Sequence, residues 1–181
     1  PAASDAAAAD VEATRLAATG VERVILARQE ADSWDRNGIA DAALSKHYAL
    51  VAAFPVGPAS IHVYARPATS ISPAGVSFAN GVTLEAAGPD SRQLVPGGLL
   101  VVHLRWRGRQ EALRGTEKIT LQMLDSAGAL VAQTDQSLEA SEIGTPATSY
   151  GILIPGDLSP GTYRLSVAVY DPGRPGSPRW L

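Results

Sequence analysis

The sequence contains no cysteine, and this absence excludes disulfide bonds and metal sites built on thiolates. Positive charge is also scarce, because 15 lysine and arginine residues stand against 18 acidic residues and leave a net charge of −3. Lys46 and Lys118 are the only lysines, which we interpret as an effect of genome composition. Without a basic stripe, the chain is not expected to bind nucleic acid.

Long apolar segments are missing as well. The uncharged stretch 47–65 is interrupted by Pro55, Gly57 and Pro58, so no transmembrane helix is predicted within the chain. The opening PAASDAAAAD lacks the basic and apolar regions of a signal peptide. Because the first residue is Pro1 rather than methionine, we expect a processed product or a fragment of a longer protein.

What the sequence does contain is typical of a globular protein. Its 181 residues are 45% hydrophobic and 18% charged, which suits one large domain or two small ones. Helical patterns occur only in the first third of the chain. Ser4 is predicted to cap a helix over 5–19, and Asn37 to cap a second helix over 39–48.

Three strands are predicted among these helices. The continuous apolar run in VERVILAR, 21–28, predicts a strand that is buried on both faces, as in a parallel or mixed sheet. Two further strands are predicted over 49–54 and 60–66. Together with the helices they predict that residues 1–66 form a small α/β domain.

A segment without charge and with two prolines, 67–75, is predicted to be a linker. Beyond it, about seven short strands separated by Gly and Pro turns predict an immunoglobulin-like β-sandwich over 76–181, so that the whole chain belongs to the α+β class. The strand predicted over 99–107 should point Leu100, Val102, Leu104 and Trp106 inward and His103, Arg105 and Arg107 outward. The strand predicted over 162–170 should point Tyr163, Leu165, Val167 and Val169 inward.

No motif of the sequence indicates catalysis. His47, His62 and His103 fall on three separate elements without a further ligand at metal-binding spacing, so we predict no metal site. No serine has an evident histidine partner, and no glycine-rich phosphate loop precedes a helix. The sequence therefore predicts no catalytic residue and no cofactor.

The loop DSWDR is the best candidate for a binding site. Carboxylates beside an indole ring can hold a sugar by hydrogen bonds and stacking, which makes Asp32, Trp34, Asp35 and Arg36 candidates for sugar binding. The alternative is a purely structural turn. In that case Trp34 would cover the edge of a sheet and Asp35 would form a local cap within the turn.

Two parts of the sequence resemble a known family. The segment VERVILARQEADSWDRNGIADAALSKHYALVAAFPVGPASIHVYARP resembles the region after the last membrane helix of bacterial polytopic glycosyltransferases related to dolichyl-phosphate-mannose–protein mannosyltransferases. The segments GVTLEAAGPDSRQLVPGGLLVVHLRWRG, LQMLDSAGALVAQTDQ and LSPGTYRLSVAVYDPG resemble the β-sandwich that can follow in those chains.

The resemblance implies a location and a context. The chain would be the C-terminal part of a larger integral membrane protein on the extracytoplasmic face of a bacterial membrane, accessory to sugar transfer from a lipid-phosphate donor. Its partners would be the membrane-embedded portion of the same parent chain and a glycan or lipid-linked sugar. The catalytic carboxylates of the family lie between early membrane helices, so none is carried over to this chain. Two alternatives are a free-standing carbohydrate-binding module and a structural spacer without a ligand.

Overall fold

The computed structural model describes residues 5–29, 35, 37–68, 70–109, 111 and 113–173. The fold is mostly β, with few helices and several antiparallel sheets, and is consistent with a β-sandwich. The chain divides into two compact units, Pro1–Ala68 and Thr69–Leu181. Each unit is described by itself below.

In its described residues, the first unit contains two α-helices and a sheet of three antiparallel strands in the order β1-β3-β2. Its elements in chain order are α1 (Ala6–Ala18), β1 (Arg23–Gln29), α2 (Ile39–Leu44), β2 (Ala49–Val56) and β3 (Ala59–Ala65). Helix α1 is rich in alanine, the residue with the best helix propensity. The side chain of Asp5 caps it by accepting hydrogen bonds from the backbone N–H groups of Ala7 and Ala8. The predicted cap, Ser4, lies outside the described residues.

The core of the first unit lies between the helices and one face of the sheet. Its buried members are Ala13, Ala43, Leu44, Tyr48 and Tyr64. Strand β1 lies at an edge of the sheet and pairs with β3 in the antiparallel sense, and Ile25 on it is 70% exposed. The prediction of a strand buried on both faces was therefore wrong, because the helices cover only one face of this sheet. Helix α2 is also shorter than predicted, since residues 45–47 form a turn.

The second unit consists of two antiparallel sheets, with the orders β4-β5-β6-β9 and β10-β7-β8. Its strands are β4 (Ser72–Ser77), β5 (Thr83–Pro89), β6 (Leu99–Arg107), β7 (Lys118–Leu124), β8 (Leu130–Ser137), β9 (Thr148–Leu153) and β10 (Arg164–Tyr170). A short 3-10 turn, Ala140–Glu142, lies between β8 and β9. A hairpin joins β7 to β8, with the Asp125 carboxylate accepting hydrogen bonds from the N–H groups of Ala127 and Ala129.

A single apolar core lies between these two sheets. Strand β6 contributes Leu104 and Trp106, both fully buried, and β7 contributes Leu121 and Met123 from the facing sheet. The predicted facing of β6 and β10 toward the core is confirmed, since the residues predicted to point inward all belong to this cluster or pack against it. His103 lies on the opposite face of β6, as predicted, but it is buried there beside Ser149.

Strand β4 was not predicted, because its residues fall largely within the segment interpreted as a linker. It pairs with β5 although all six of its residues are exposed, so no alternation of apolar and polar residues marks it in the sequence. Pro73 and Gly75, which has a φ of 68°, interrupt its regular geometry. The register with β5 shifts between Pro73 and Val76. This strand forms an irregular edge of the four-stranded sheet.

A network of hydrogen bonds connects the 3-10 turn Ala140–Glu142 to the four-stranded sheet. The indole N–H of Trp106 donates to the hydroxyl oxygen of Tyr150 at 3.3 Å, and that hydroxyl donates to Glu142 Oε2 at 3.0 Å. The same carboxylate oxygen accepts a hydrogen bond from the backbone N–H of Glu139 at 3.0 Å. Burial raises the pKa of the Glu142 carboxyl above 4.5, although the two hydrogen bonds that it accepts act in the opposite direction.

This raised pKa predicts a loss of stability with increasing pH. The folded chain holds the Glu142 proton more tightly than the unfolded chain, so its contribution is fully present below pH 4.5 and is lost as the pH rises through the folded-state pKa. Urea melts over this range should show the loss in the wild type and not in Glu142→Gln. Asp157→Asn, which changes an exposed carboxylate, should keep the wild-type profile. Identical profiles for wild type and Glu142→Gln would contradict the assignment.

Candidate functional site

The loop predicted to bind a sugar is only partly described. Asp32, Trp34 and Arg36 lie outside the described residues. Asp35 is described, and it is buried with 6% of its surface exposed. Its two carboxylate oxygens accept hydrogen bonds from the backbone N–H groups of Ile39 and Ala40 at the start of α2. The helix therefore uses Asp35 as a cap in place of Asn37, and sugar binding by this loop stays a prediction.

A cleft of about 900 Å³ opens at one end of the β-sandwich. It lies where the β5–β6 connection, 90–98, meets the β9–β10 connection, 154–163. Backbone hydrogen bonds tie the two connections together, from Gly97 N–H to the Pro155 carbonyl at 3.2 Å and from Ile154 N–H to the Gly98 carbonyl at 2.9 Å. These backbone hydrogen bonds therefore stabilise the relative position of the two connections that form the cleft.

The floor of the cleft is apolar. Leu100 and Met123 line it from the two facing sheets and belong to the buried core. Leu165 at the edge strand β10 and Tyr163 pack against that core from the side. The hydroxyl of Tyr163 donates to the carbonyl of Ser159, which fixes the ring across the β9–β10 connection. A flexible apolar chain would find a preformed surface here.

The rim of the cleft is polar and carries one charge. Ser91, Gln93 and Thr162 supply hydroxyl and amide groups, and Arg92 is the only charged residue among those that line the cleft. Arg92 is exposed and makes no salt bridge to another described residue. The sequence predicts only turns in these connections, because a cleft between two loops arises from their proximity in space and leaves no local motif.

A second cluster of polar side chains lies in the first unit. The Asp41 carboxylate of α2 accepts hydrogen bonds from Tyr64 and from the imidazole Nδ1 of His62, the latter at 2.7 Å. The guanidinium of Arg28 lies 3.1 Å from the other oxygen of Asp41. Burial, and next the hydrogen bond to Asp41, raise the pKa of the Tyr64 hydroxyl well above its ordinary value, so this phenol stays protonated.

Each of the three histidines contacts a hydroxyl group. His47 Nε2 lies 3.2 Å from Thr14 Oγ1, His62 Nε2 lies 3.5 Å from Ser60 Oγ, and His103 Nδ1 lies 2.9 Å from Ser149 Oγ. The prediction that no serine has a histidine partner was therefore wrong. Ser60 and His62 are separated by one residue on a strand, a signal that the sequence did contain. Ser149 and His103 meet only through the pairing of β9 with β6.

Within the described residues, no group of three or more histidine, aspartate or glutamate side chains is arranged to hold a metal ion. No helix in the described part of the chain is long and apolar enough to cross a membrane. No protein-family model matches the chain, and no curated protein or solved structure is significantly similar to it.

Proposed function

We propose that this chain is the extracytoplasmic C-terminal part of a membrane-embedded bacterial glycosyltransferase and that it binds the lipid-linked sugar on which the parent enzyme acts. The proposal rests first on the resemblance of its two segments to the regions that follow the last membrane helix in that family. In this proposal the first unit is a small α/β domain, the second is an immunoglobulin-like sandwich, and neither performs the sugar transfer.

The cleft of the sandwich is the observation that carries the binding role. An isoprenoid chain would pack on the apolar floor formed by Leu100, Met123 and Leu165. The phosphate of such a ligand would contact Arg92 at the rim, where a guanidinium can donate two parallel hydrogen bonds to phosphate oxygens. Sugar hydroxyls would then lie beside the polar groups of the rim. A free sugar would use only this last part of the site.

A titration by NMR tests the proposal. We expect a mannosyl phosphate with a ten-carbon isoprenoid chain to shift the resonances of the residues that line the cleft, with a dissociation constant of about 1 mM, or about 4 kcal/mol. Arg92→Ala should weaken this binding about tenfold, because removal of one charge-assisted contact costs about 1.5 kcal/mol or more. Arg164→Ala, which removes an exposed arginine of β10 outside the cleft, is the matched control.

Other outcomes of this titration would favour one of the alternative functions, a carbohydrate-binding module or a structural spacer. Equal affinity for free mannose would indicate a carbohydrate-binding module and would contradict a lipid-linked ligand. Shifts confined to residues around α2 would move the site to the loop that contains Trp34. No shifts at saturating ligand would contradict binding altogether and would leave the structural spacer.

A further inference from the structure

Three side chains of the first unit form the chain of contacts on which serine hydrolases depend. Ser60 and His62 alternate along β3 and so lie on the same face of the sheet. Asp41 reaches this face from α2. The cluster lies in a different unit from the cleft and is independent of the function proposed for it.

The hydrogen bonds of His62 define the roles of its two nitrogens. Nδ1 lies 2.7 Å from Asp41 Oδ1, and a carboxylate can only accept, so Nδ1 carries the proton. In the neutral imidazole Nε2 is then the acceptor, and it lies 3.5 Å from Ser60 Oγ. This separation is longer than the range of about 2.6–3.2 Å for a nucleophile and its base, and such contacts are often looser before a substrate binds.

The carboxylate that orients the imidazole is itself held in place. Asp41 Oδ1 accepts a second hydrogen bond from the Tyr64 hydroxyl, and Oδ2 lies 3.1 Å from Arg28 Nη1. Only 19% of the Asp41 side chain and 14% of the His62 side chain are exposed. Both side chains are therefore restrained by packing as well as by hydrogen bonds, which is the support that a catalytic arrangement needs.

We propose that Ser60, His62 and Asp41 form an acyl-transfer site for carboxylic esters, with Ser60 as nucleophile, His62 as general base and Asp41 as the positioning carboxylate. The Oγ of Ser60 forms a bond to the acyl carbon while its proton passes to His62 Nε2. The bond to the alcohol oxygen breaks, and the alcohol leaves with that proton. Water then attacks the acyl-serine, its proton passes to Nε2 and on to Ser60 Oγ, and the carboxylic acid is released.

Arg28 is placed to stabilise the charge that develops in this reaction. It lies directly opposite Ser60 in the pairing of β1 with β3, so the two side chains project from the same face of the sheet. One third of the Arg28 side chain is exposed, and its guanidinium has donors beyond the one that faces Asp41. A positive charge at this position would favour the oxyanion of the tetrahedral intermediate.

The other two histidines provide an internal comparison. Thr14 and His47 form a hydroxyl–imidazole contact of 3.2 Å, but no carboxylate of the described residues contacts this imidazole. Ser149 and His103 form a third contact, but both residues are buried and a substrate cannot reach them. Among these three pairs of described residues, only Ser60 combines an accessible position with a base that a carboxylate orients.

Covalent labelling of the full 181-residue chain tests the proposal. We expect a fluorophosphonate probe to add one group per chain, with the adduct on Ser60 in peptide mass spectra and none in Ser60→Ala. His62→Gln should slow labelling at least about 100-fold, because general-base assistance is worth that much. Thr14→Ala and His47→Gln should label at the wild-type rate. Thermal melts by circular dichroism verify that each variant is folded.

Hydrolysis of p-nitrophenyl acetate provides a second readout. Turnover should disappear in Ser60→Ala and fall in His62→Gln, while His47→Gln stays at the wild-type rate. Arg28→Lys should lower the turnover number more than it raises KM if the guanidinium acts on the oxyanion. Absence of an adduct on folded wild-type protein, or equal labelling of wild type and His62→Gln, would overturn the proposal.

Discussion

Trp106→Ala is expected to lower the free energy of unfolding of the second unit by about 3–5 kcal/mol, the largest stability effect of any substitution considered. Trp106 is fully buried, and its ring lies 5.9 Å from that of Phe78 in the core between the two sheets. The substitution would leave a large cavity and would also remove the indole donor to Tyr150. Urea melts followed by far-UV circular dichroism measure the effect without depending on tryptophan fluorescence.

Arg107→Ala is the matched control for this substitution. Arg107 is the next residue on β6, its side chain is 77% exposed, and it forms a salt bridge of 3.3 Å with Glu85. Exposed ion pairs contribute about 0–1 kcal/mol, so the control should lose little stability. Comparable losses for both variants would contradict the assignment of the two faces of β6.

Asp41→Ala is expected to lower the stability of the first unit by about 2–4 kcal/mol, because it would leave two hydrogen-bonding groups and one partly buried cation without their shared carboxylate. His62 and Tyr64 form the hydrogen bonds, Arg28 forms the ion pair, and the Tyr64 side chain lies in the core of the unit. The substitution also removes an acidic residue from the first turn of α2, where it favours the helix. Hydrogen exchange of the backbone amides of β3 measures the stability of the first unit separately from the stability of the second unit.

Asp10→Ala provides the comparison within the same unit. Asp10 lies 2.6 Å from Lys46, but 43% of the Asp10 side chain and 57% of the Lys46 side chain are exposed. Its removal should cost about 0–1 kcal/mol. If Asp10→Ala were as destabilising as Asp41→Ala, the Asp41 cluster would not be the polar centre of this unit.

Sequence patterns predicted much of the fold, because burial on one face leaves a period in the chain. Strand β6 is the clearest case, since its alternating apolar residues face the core as expected. Strand β1 shows where this reasoning fails. Its apolar run suggested burial on two faces, but Ile25 lies on a face that the helices of its unit leave open, and no local pattern reports which faces are covered. Strand β4 was missed for the opposite reason. All of its residues are exposed, so its sequence has no periodic apolar residues from which a strand could be predicted.

The candidate sites were less predictable than the fold. Asp41 and His62 are 21 positions apart, and they meet only because α2 packs on the sheet that contains β3. The lining of the cleft likewise comes from two connections that are far apart in the chain. Spacing along the sequence can identify a motif within one element, as it could have for Ser60 and His62. It cannot identify contacts that arise from the packing of separate elements.

The irregular geometry of β4 has a consequence for association between copies of the chain. An edge strand offers unpaired N–H and C=O groups that can recruit a strand of another molecule and begin aggregation. Pro73 supplies no N–H, and the positive φ of Gly75 bends the backbone out of the regular ladder. An incoming strand would therefore find an interrupted row of partners along this edge. The geometry of β4 therefore opposes extension of the four-stranded sheet into a neighbouring molecule at this edge.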